Sequence, residues 1–295
     1  MLTEGVAVIK IDNVFLMFPT MRCNLRCSYC HFGWKNEKDD DGYTWTGYGR
    51  EHRIEREARW YELSMFLNKY RPYKLEFSGG EPTLYPDFKR LVGNVPDDSV
   101  WAITSNAMFP TDLLEDMDFH RCQGWTVSYH KDSPIFERNI SRLSISTPMA
   151  ISIVVTFADV MGAIRRGWHY KERGYAVNLL RELNPGVSWE GTREWDLVAA
   201  HREHGFNVVE SDIPPSFQFD RGYECFGGSH YMAIMPDGVV YRCYSQAMNG
   251  EPIGDIWNLT TEPPPYKCWS ECLGCGLDHA MRTKKIEEPT NAKCT

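Results

Sequence analysis

Three cysteines near the amino terminus are the residues of this sequence with the clearest capacity for chemistry. Cys23, Cys27 and Cys30 have the spacing Cys-x3-Cys-x2-Cys and directly follow a short apolar run. Three thiolates at this spacing can hold one cubane iron–sulfur cluster through three of its irons. With no fourth cysteine nearby, one iron would keep an open position, as a catalytic metal does. Such a cluster could bind and orient a substrate or a cofactor.

A structural zinc site is the alternative for these cysteines, because zinc also takes thiolate ligands. A structural zinc needs four protein ligands, and His31 is the nearest further candidate. Its position directly after Cys30 makes closure of a tetrahedral site awkward. The iron–sulfur interpretation is therefore favoured.

A second motif follows the second predicted strand, where Gly79, Gly80, Glu81 and Pro82 come directly after Ser78. Glycine lets the backbone approach a ligand closely, and a glutamate can accept a hydrogen bond from an ammonium group. Alone, a Gly-Gly-Glu sequence usually marks a turn. One strand after a three-cysteine loop, it is a much more specific signal.

Together the two motifs resemble the signature of the radical S-adenosylmethionine (SAM) superfamily, and the resemblance covers roughly residues 14–210. It implies a [4Fe-4S] cluster whose open iron is chelated by the amino and carboxylate groups of SAM. It also implies that the reduced cluster donates an electron to the sulfonium of SAM. The resulting 5′-deoxyadenosyl radical would abstract a hydrogen atom from the substrate, while the protein positions the cofactors.

The resemblance also assigns cofactor contacts by position. Tyr29 would lie along the SAM adenine, and residues 79–82 would contact the SAM amino group. Later strand ends would contact the ribose and the methionine carboxylate, and the matching polar residues are Ser105, Asn106, Ser128 and His130. Ordinary strand-end polarity is the alternative for these four, although the carboxyl ends of barrel strands tend to be functional.

Cys122 is a lone cysteine just before the fourth predicted strand. Some radical enzymes return a hydrogen atom to the substrate from such a thiol, which would give epimerisation. Its alternative interpretation is a small buried apolar residue, as a lone cysteine often is.

The other six cysteines lie in the last third of the chain, at Cys225, Cys243, Cys268, Cys272, Cys275 and Cys294. This region resembles the carboxyl-terminal auxiliary-cluster extension of radical SAM enzymes, in its shorter twitch form rather than the longer SPASM form. The resemblance implies one auxiliary [4Fe-4S] cluster with the ligands Cys225, Cys243, Cys272 and Cys275. Cys268 is an alternative for one of the four, Cys294 has no assignment, and structural zinc remains an alternative metal.

Alternating apolar runs and helical patterns supply the scaffold. Buried strands are predicted at Val14–Pro19, Leu75–Phe77, Val100–Thr104, Trp125–Ser128, Ile151–Thr156 and Val177–Leu183. Helices are predicted at Arg53–Tyr70, Asp87–Gly93, Thr111–Met117, Lys131–Thr147, Asp159–Arg173 and Thr192–His204. This order predicts an α/β fold with a parallel sheet, and the resemblance specifies a partial (β/α)6 TIM-like barrel. We expect residues 31–49 to be a loop or an insertion.

The segment around Pro236-Asp237-Gly238 predicts a β-hairpin between Tyr231–Met235 and Val239–Tyr244, because proline and glycine preset the turn. A small extension of hairpin plus helix would then hold the auxiliary cluster. The predicted domains are 1–210, the radical SAM core, and 211–295, the auxiliary extension.

The composition narrows the classes of partner. The chain has 295 residues, 32 of them Lys or Arg against 40 Asp or Glu, and its net charge of −8 argues against a broad nucleic-acid surface. The first ten residues lack the pattern of a signal peptide, and the longest apolar run, Ala150–Ile164, is too short to span a membrane. We expect a cytoplasmic protein, because thiols stay reduced there.

The favoured function is that of a radical SAM oxidoreductase that oxidises a small molecule, such as a sugar-like alcohol. The auxiliary cluster would accept an electron from the substrate radical, and flavodoxin or ferredoxin would reduce the SAM-binding cluster. The short segment before the first strand modestly favours a small substrate over a peptide. One alternative is a peptide-modifying enzyme that makes a cross-link, a thioether or an epimer. Another is a non-catalytic iron–sulfur or zinc scaffold, against which the Gly-Gly-Glu motif argues.

Overall fold

The computed structural model of the chain describes residues 14–30, 32–33, 38–39, 42–47, 50–182, 189, 191–209, 223–225, 227–228, 231–249, 252–259, 266–267 and 282–285. Its strands are β1 Val14–Met17, β2 Phe32–Gly33, β3 Lys38–Asp39, β4 Gly42–Gly47, β5 Arg50–Ile54, β6 Lys74–Phe77, β7 Val100–Ser105, β8 Cys122–Tyr129, β9 Met149–Val155, β10 Ala176–Arg181, β11 Asn207–Val209, β12 Tyr223–Cys225, β13 Tyr231–Ile234, β14 Val239–Tyr241, β15 Pro252–Asp255, β16 Tyr266–Lys267 and β17 Arg282–Lys285. Its α-helices are α1 Trp60–Tyr70, α2 Phe88–Gly93, α3 Pro134–Ser146, α4 Val160–Glu172, α5 Arg193–Ala200 and α6 Tyr244–Asn249, and short 3₁₀ helices cover Pro82–Leu84, Thr111–Leu114, Phe157–Asp159 and His201–His204.

Ten strands form one sheet in the order β11-β10-β9-β8-β7-β6-β1-β13-β14-β15. Each neighbouring pair from β11 to β13 is parallel, and the two remaining pairs are antiparallel. The six predicted barrel strands are all present, and helices connect several of them. The α/β class and the partial TIM-like barrel are confirmed.

Large apolar side chains lie opposite one another on neighbouring strands and bury one another. Phe15 pairs with Leu75, which pairs with Trp101. Each of the three is at most 1% exposed. Full burial of such a side chain contributes about 1.5–3 kcal/mol, so rows of this kind hold the strands in register. The register in turn sets which residues emerge at the carboxyl end of each strand.

Two helix predictions were wrong at their bounds. Residues 53–54 belong to β5, and the helix predicted from Arg53 begins only at Trp60. The Glu62 carboxylate there accepts a hydrogen bond of 2.7 Å from the Arg59 N–H, which caps the first turn. The helix predicted at Thr111–Met117 is only a 3₁₀ turn that ends at Leu114. In contrast, the helix predicted at Lys131–Thr147 is confirmed as α3.

Residues 31–49, predicted to be a loop or an insertion, contain three short strands. β4 lies between β2 and β3 and also pairs with β5, all antiparallel, in a small separate sheet. Tyr43 on β4 pairs with Ile54 on β5, and both are 3% exposed. The segment is therefore an insertion with a buried apolar contact, which its many polar and glycine residues concealed.

The predicted hairpin is confirmed as β13 and β14, and α6 follows it. Gly238 adopts a φ of +81° in the turn, and the Asp237 carboxylate accepts a hydrogen bond from the Val239 N–H. β13 pairs in parallel with β1. The main sheet is therefore continuous across the predicted boundary at residue 210, and the division into two domains stays a prediction. Among the described residues, no helix has the length and apolarity to cross a membrane.

Candidate active site

The predicted cofactor residues meet in one cavity at the carboxyl ends of the parallel strands. Its volume is about 400 Å³, within the usual range of small-molecule sites. Of the residues predicted from the first two motifs and the strand ends, those that line it are Cys23, Cys27, Tyr29, Cys30, Gly79, Gly80, Glu81, Ser105, Asn106, Ser128 and His130. Pro82 does not line the cavity but begins the 3₁₀ helix behind Glu81.

The three cysteines follow β1 in a tightly turned loop. The Cys30 N–H donates to the Cys27 carbonyl oxygen at 3.2 Å, and the Leu25 N–H donates to the Cys23 sulfur at 3.4 Å. Burial raises the pKa of Cys23 to about 11 and also raises that of Cys27. These thiols are therefore protonated at neutral pH unless a metal displaces the protons.

Two residues of the cavity wall contact the sulfur of Cys27. The Sγ atom lies 3.0 Å from Nδ1 of His130, which also lies 2.8 Å from the Tyr29 hydroxyl. The rings of Tyr29 and His130 are nearly parallel, with 6° between their planes. Burial lowers the pKa of His130 to about 4, so the imidazole is neutral at pH 7.

The two glycines of the second motif permit a close approach between two backbone segments. A Cβ atom added at Gly80 would lie 2.2 Å from the Arg22 carbonyl oxygen, and one at Gly79 would lie 2.7 Å from that of Thr20. The Gly80 N–H donates to the Thr20 carbonyl at 3.2 Å, and the Glu81 N–H donates to the Arg22 carbonyl at 2.7 Å. The motif therefore holds the start of the cysteine loop in place. The sequence analysis predicted only a contact with a ligand and did not predict this structural role.

The Glu81 side chain is 1% exposed and fully engaged with protein donors. One carboxylate oxygen accepts hydrogen bonds from the Thr83 N–H, the Thr83 hydroxyl and the Ser105 hydroxyl. The other accepts from the Asn106 N–H at 2.6 Å. Burial raises the pKa of Glu81 although these bonds favour ionisation. Glu81 thus ties the end of β6 to the end of β7.

Asn106 connects that strand end to the cysteine loop. Its side-chain amide donates to Oδ1 of Asn24 at 2.8 Å and approaches the Cys23 sulfur at 3.7 Å. The next residue, Ala107, has a φ of +53°, which is uncommon for a residue with a side chain. Asn139 of α3 supports the loop, because its amide donates to the carbonyls of Ala107 and Phe109.

The cavity has further lining residues that sequence reasoning did not select, namely Leu25, Ser78, Thr104, Val154, Leu180, Arg181 and Glu182. Arg181 and Glu182 bring opposite charges to the end of β10, and the Arg181 guanidinium lies 5.4 Å from the centre of the Trp195 ring. The carboxyl end of the sixth predicted strand was the signal that could have indicated them.

The position of Cys122 argues against its predicted role as a hydrogen donor. Cys122 is the first residue of β8, whereas Ser128 and His130 reach the cavity at the other end. A strand rises about 3.3 Å per residue, so the thiol lies about 20 Å from that end. Its sulfur accepts a hydrogen bond from the Thr147 hydroxyl, and its side chain packs against the core. This environment fits the alternative interpretation.

Of the predicted auxiliary ligands, Cys243 is described in full. It is buried and lies two residues after the end of β14. The backbone of Cys225 lies in β12, opposite Tyr266 of β16. Cys268, Cys272, Cys275 and Cys294 lie outside the described residues. In the described part of the chain, no group of three Cys, His, Asp or Glu side chains is arranged to hold a single metal ion.

The donor set at the cysteine loop fits a [4Fe-4S] cluster. All three cysteines line one cavity, the Leu25 N–H donates to the Cys23 sulfur, and Nδ1 of His130 lies 3.0 Å from the Cys27 sulfur. Such donors stabilise thiolate ligands. Beside the loop, the wall offers polar groups at the ends of several strands, as a site for a polar cofactor requires.

Comparisons with known proteins agree with this geometry. Residues 17–142 match the model of the radical SAM superfamily. The probable GTP 3',8-cyclase of Methanocella arvoryzae is 34% identical over 87 residues, which are 30% of this chain and 24% of that protein. The structure of anSMEcpe with bound AdoMet is similar at a TM-score of 0.56 and 16% identity, over 84% of this chain and 76% of that chain.

Streptococcus suis SuiB bound to the precursor peptide SuiA is similar at a TM-score of 0.53 and 15% identity, over 85% of this chain. This chain covers about a quarter of the cyclase and 61% of SuiB. At such identities, the likeness to the two solved structures establishes the fold alone. The family match includes the three-cysteine loop and the Gly-Gly-Glu motif, so residues 17–142 are similar to a radical SAM superfamily domain.

Proposed function

We propose that this protein binds a [4Fe-4S] cluster through Cys23, Cys27 and Cys30 and uses it to cleave SAM reductively. The observation that carries the proposal is the convergence of these thiols, the second motif and the polar strand ends on one cavity. When bound, the cluster and SAM supply an electron and a 5′-deoxyadenosyl radical that abstracts hydrogen from the substrate.

The chain's own residues bind and orient these groups. Tyr29 forms one wall of the cavity, while Ser105, Asn106, Ser128 and His130 offer polar groups from two strand ends. These side chains are our candidates for contacts with the adenine, ribose and carboxylate of SAM. Glu81 is already occupied by four hydrogen bonds, so we assign it mainly to fixing Ser105 and Asn106.

We further propose one auxiliary [4Fe-4S] cluster in residues 211–295. Cys243 lies two residues after the hairpin, and β16 runs beside Cys225 and ends one residue before Cys268. This pairing supports the alternative in which Cys268 joins Cys225 and Cys243, in place of Cys272 or Cys275. A fully ligated cluster can accept an electron, which suits oxidation of a small alcohol by a net two electrons. Reduced flavodoxin or ferredoxin would serve as the electron donor for the first cluster.

The test is anaerobic reconstitution followed by incubation with dithionite and SAM. We expect release of 5′-deoxyadenosine by the wild-type protein and none by Cys27→Ala. Cys122→Ala is the matched control, because it removes a cysteine at the far end of β8 and should retain the activity. Failure of the loaded wild-type protein to form 5′-deoxyadenosine would sink the proposal.

Iron content and isotope transfer test the finer claims. Two clusters predict about eight irons per chain, whereas about four irons and one zinc would refute the auxiliary cluster. A deuterated sugar alcohol should transfer deuterium to 5′-deoxyadenosine if a small alcohol is the substrate. Transfer only from a deuterated peptide would instead establish a peptide-modifying enzyme.

A further inference from the structure

A cluster of polar side chains outside the cavity surrounds the start of the cysteine loop. Its centre is Glu57, which lies between β5 and α1 and whose side chain is 10% exposed. One Glu57 oxygen accepts hydrogen bonds from the Thr20 hydroxyl at 2.5 Å and the Tyr43 hydroxyl at 2.9 Å. The other oxygen lies 3.7 Å from the Arg22 guanidinium. Neither predicted motif includes Glu57 or Tyr43.

The two hydroxyls that donate to Glu57 also accept hydrogen bonds from the main chain of the loop. The Tyr43 oxygen accepts from the Met21 N–H at 2.9 Å, and the Thr20 oxygen accepts from the Arg22 N–H at 3.0 Å. Each hydroxyl donates its one proton to Glu57, so its oxygen is oriented to accept from the backbone. Glu57 therefore fixes the direction of both backbone hydrogen bonds.

The opposite side of the same segment is held by the Gly-Gly-Glu motif. Gly80 and Glu81 donate to the carbonyls of Thr20 and Arg22. Two N–H groups on one side, those of Met21 and Arg22, and two carbonyls on the other are thus bonded immediately before Cys23. Thr20 and Met21 are fully buried, so no water can replace a partner lost by the Met21 N–H or the Thr20 carbonyl.

We propose that Glu57, Tyr43 and Thr20 are positioning residues that hold the cysteine loop in its metal-binding conformation. This inference rests on the proposed cluster site. Tyr43 belongs to the small sheet formed by β2 to β5, so that insertion supports the first cluster. The neighbouring Ala58 donates its N–H to the Pro236 carbonyl, which joins the same segment to the turn of the β13–β14 hairpin.

The experiment compares pairs of variants in the full chain, each reconstituted anaerobically. Thr20→Val and Tyr43→Phe each remove one hydroxyl at nearly constant shape and leave a backbone N–H, that of Arg22 or of Met21, without its acceptor. Thr20→Ser keeps the hydroxyl, and Tyr70→Phe removes a buried tyrosine hydroxyl that donates to Leu259 instead. These last two are the controls. Far-UV circular dichroism checks that every variant is folded.

The readouts are the rate of iron loss to an iron(II) chelator and the electron paramagnetic resonance (EPR) spectrum of the reduced cluster without SAM. Iron bound to a variant with Cys23, Cys27 and Cys30 all changed to Ala is subtracted. We expect Thr20→Val and Tyr43→Phe to lose iron about five-fold faster, the factor for one lost hydrogen bond. We also expect a broadened spectrum, with both controls like wild type.

Iron loss and spectra identical to wild type in Thr20→Val and Tyr43→Phe would overturn the inference and leave the proposed function intact. An equal loss in Tyr70→Phe would also overturn it, because the effect would then be general. If the wild-type protein holds no iron beyond that of the triple variant, the proposed function fails and the inference falls with it.

Discussion

The Nδ1 atom of His130 lies 3.0 Å from the sulfur of Cys27. A metal-bound thiolate can only accept a hydrogen bond, so a hydrogen bond across this contact requires the proton on Nδ1, with the Tyr29 hydroxyl at 2.8 Å not donating to it. Burial keeps the imidazole neutral by lowering the pKa of His130 to about 4. The carboxyl end of β8 thus places a neutral imidazole beside a ligand of the proposed cluster.

We expect His130→Leu to make the midpoint potential of the first cluster more negative. A hydrogen bond to a ligand sulfur stabilises the reduced cluster, and its loss favours the oxidised one. The measurement is a redox titration monitored by EPR without SAM. Ser128→Ala, which changes the same wall of the cavity, is the control. A potential that His130→Leu leaves unchanged would show that this contact is absent when the cluster is bound.

Gly80→Ala should prevent cluster loading. The added Cβ would lie 2.2 Å from the Arg22 carbonyl oxygen, so the start of the cysteine loop must move. We expect a loss of about 1–3 kcal/mol in the free energy of unfolding and little iron in the first site. Gly93→Ala is the matched control, because the Cβ atom it adds would have no other atom within 4 Å. Normal iron loading by Gly80→Ala would contradict the close approach.

Asn139→Ala should destabilise the loop that follows β7. The Asn139 side chain is 0% exposed and donates to two carbonyls, those of Ala107 and Phe109. Leaving both without a donor costs about 2–5 kcal/mol, which urea denaturation can measure. Asn94→Ala removes an exposed amide that donates to Arg90, and it should change stability by less than about 0.5 kcal/mol. Similar losses of stability in Asn139→Ala and Asn94→Ala would refute the supporting role of Asn139.

Glu137 should contribute stability that depends on pH. Burial opposes its ionisation, but hydrogen bonds from Arg173 and Tyr170 outweigh burial and lower the pKa of Glu137. Because the folded-state pKa is the lower one, the contribution is complete above the unfolded value of about 4.3 and is lost as the pH falls through the folded value.

Glu137→Gln should therefore be less stable than wild type at pH 7 and should converge with it in acid. The ion pair is about one-third exposed, so screening limits the difference at pH 7 to about 1 kcal/mol. Urea denaturation at pH 7 and near pH 3 measures both values. A difference that stays constant with pH would indicate lost packing rather than lost charge.

The sequence by itself determined the elements and motifs that depend on local pattern. Apolar runs located the six barrel strands, because the strand residues that face the core must be apolar, although buried and partly exposed positions alternate along strands such as β1 and β7. The spacing of Cys23, Cys27 and Cys30 indicated a metal-binding loop because ligands so close in sequence must also be close in space. Pro236-Asp237-Gly238 determined a turn through its own backbone preferences.

Only the tertiary structure decided which distant residues meet. The contact of Glu57 with Thr20 and Tyr43 joins segments separated by up to 37 residues, and no local pattern encodes it. Gly80 is required because another backbone passes beside it, a fact that depends on the pairing of β1 with β6. The direction of β8 removed Cys122 from the site, and parallel pairing with β1 brought the carboxyl-terminal hairpin into the main sheet. Sequence preferences act between near neighbours, whereas these relationships follow from strand order, register and direction.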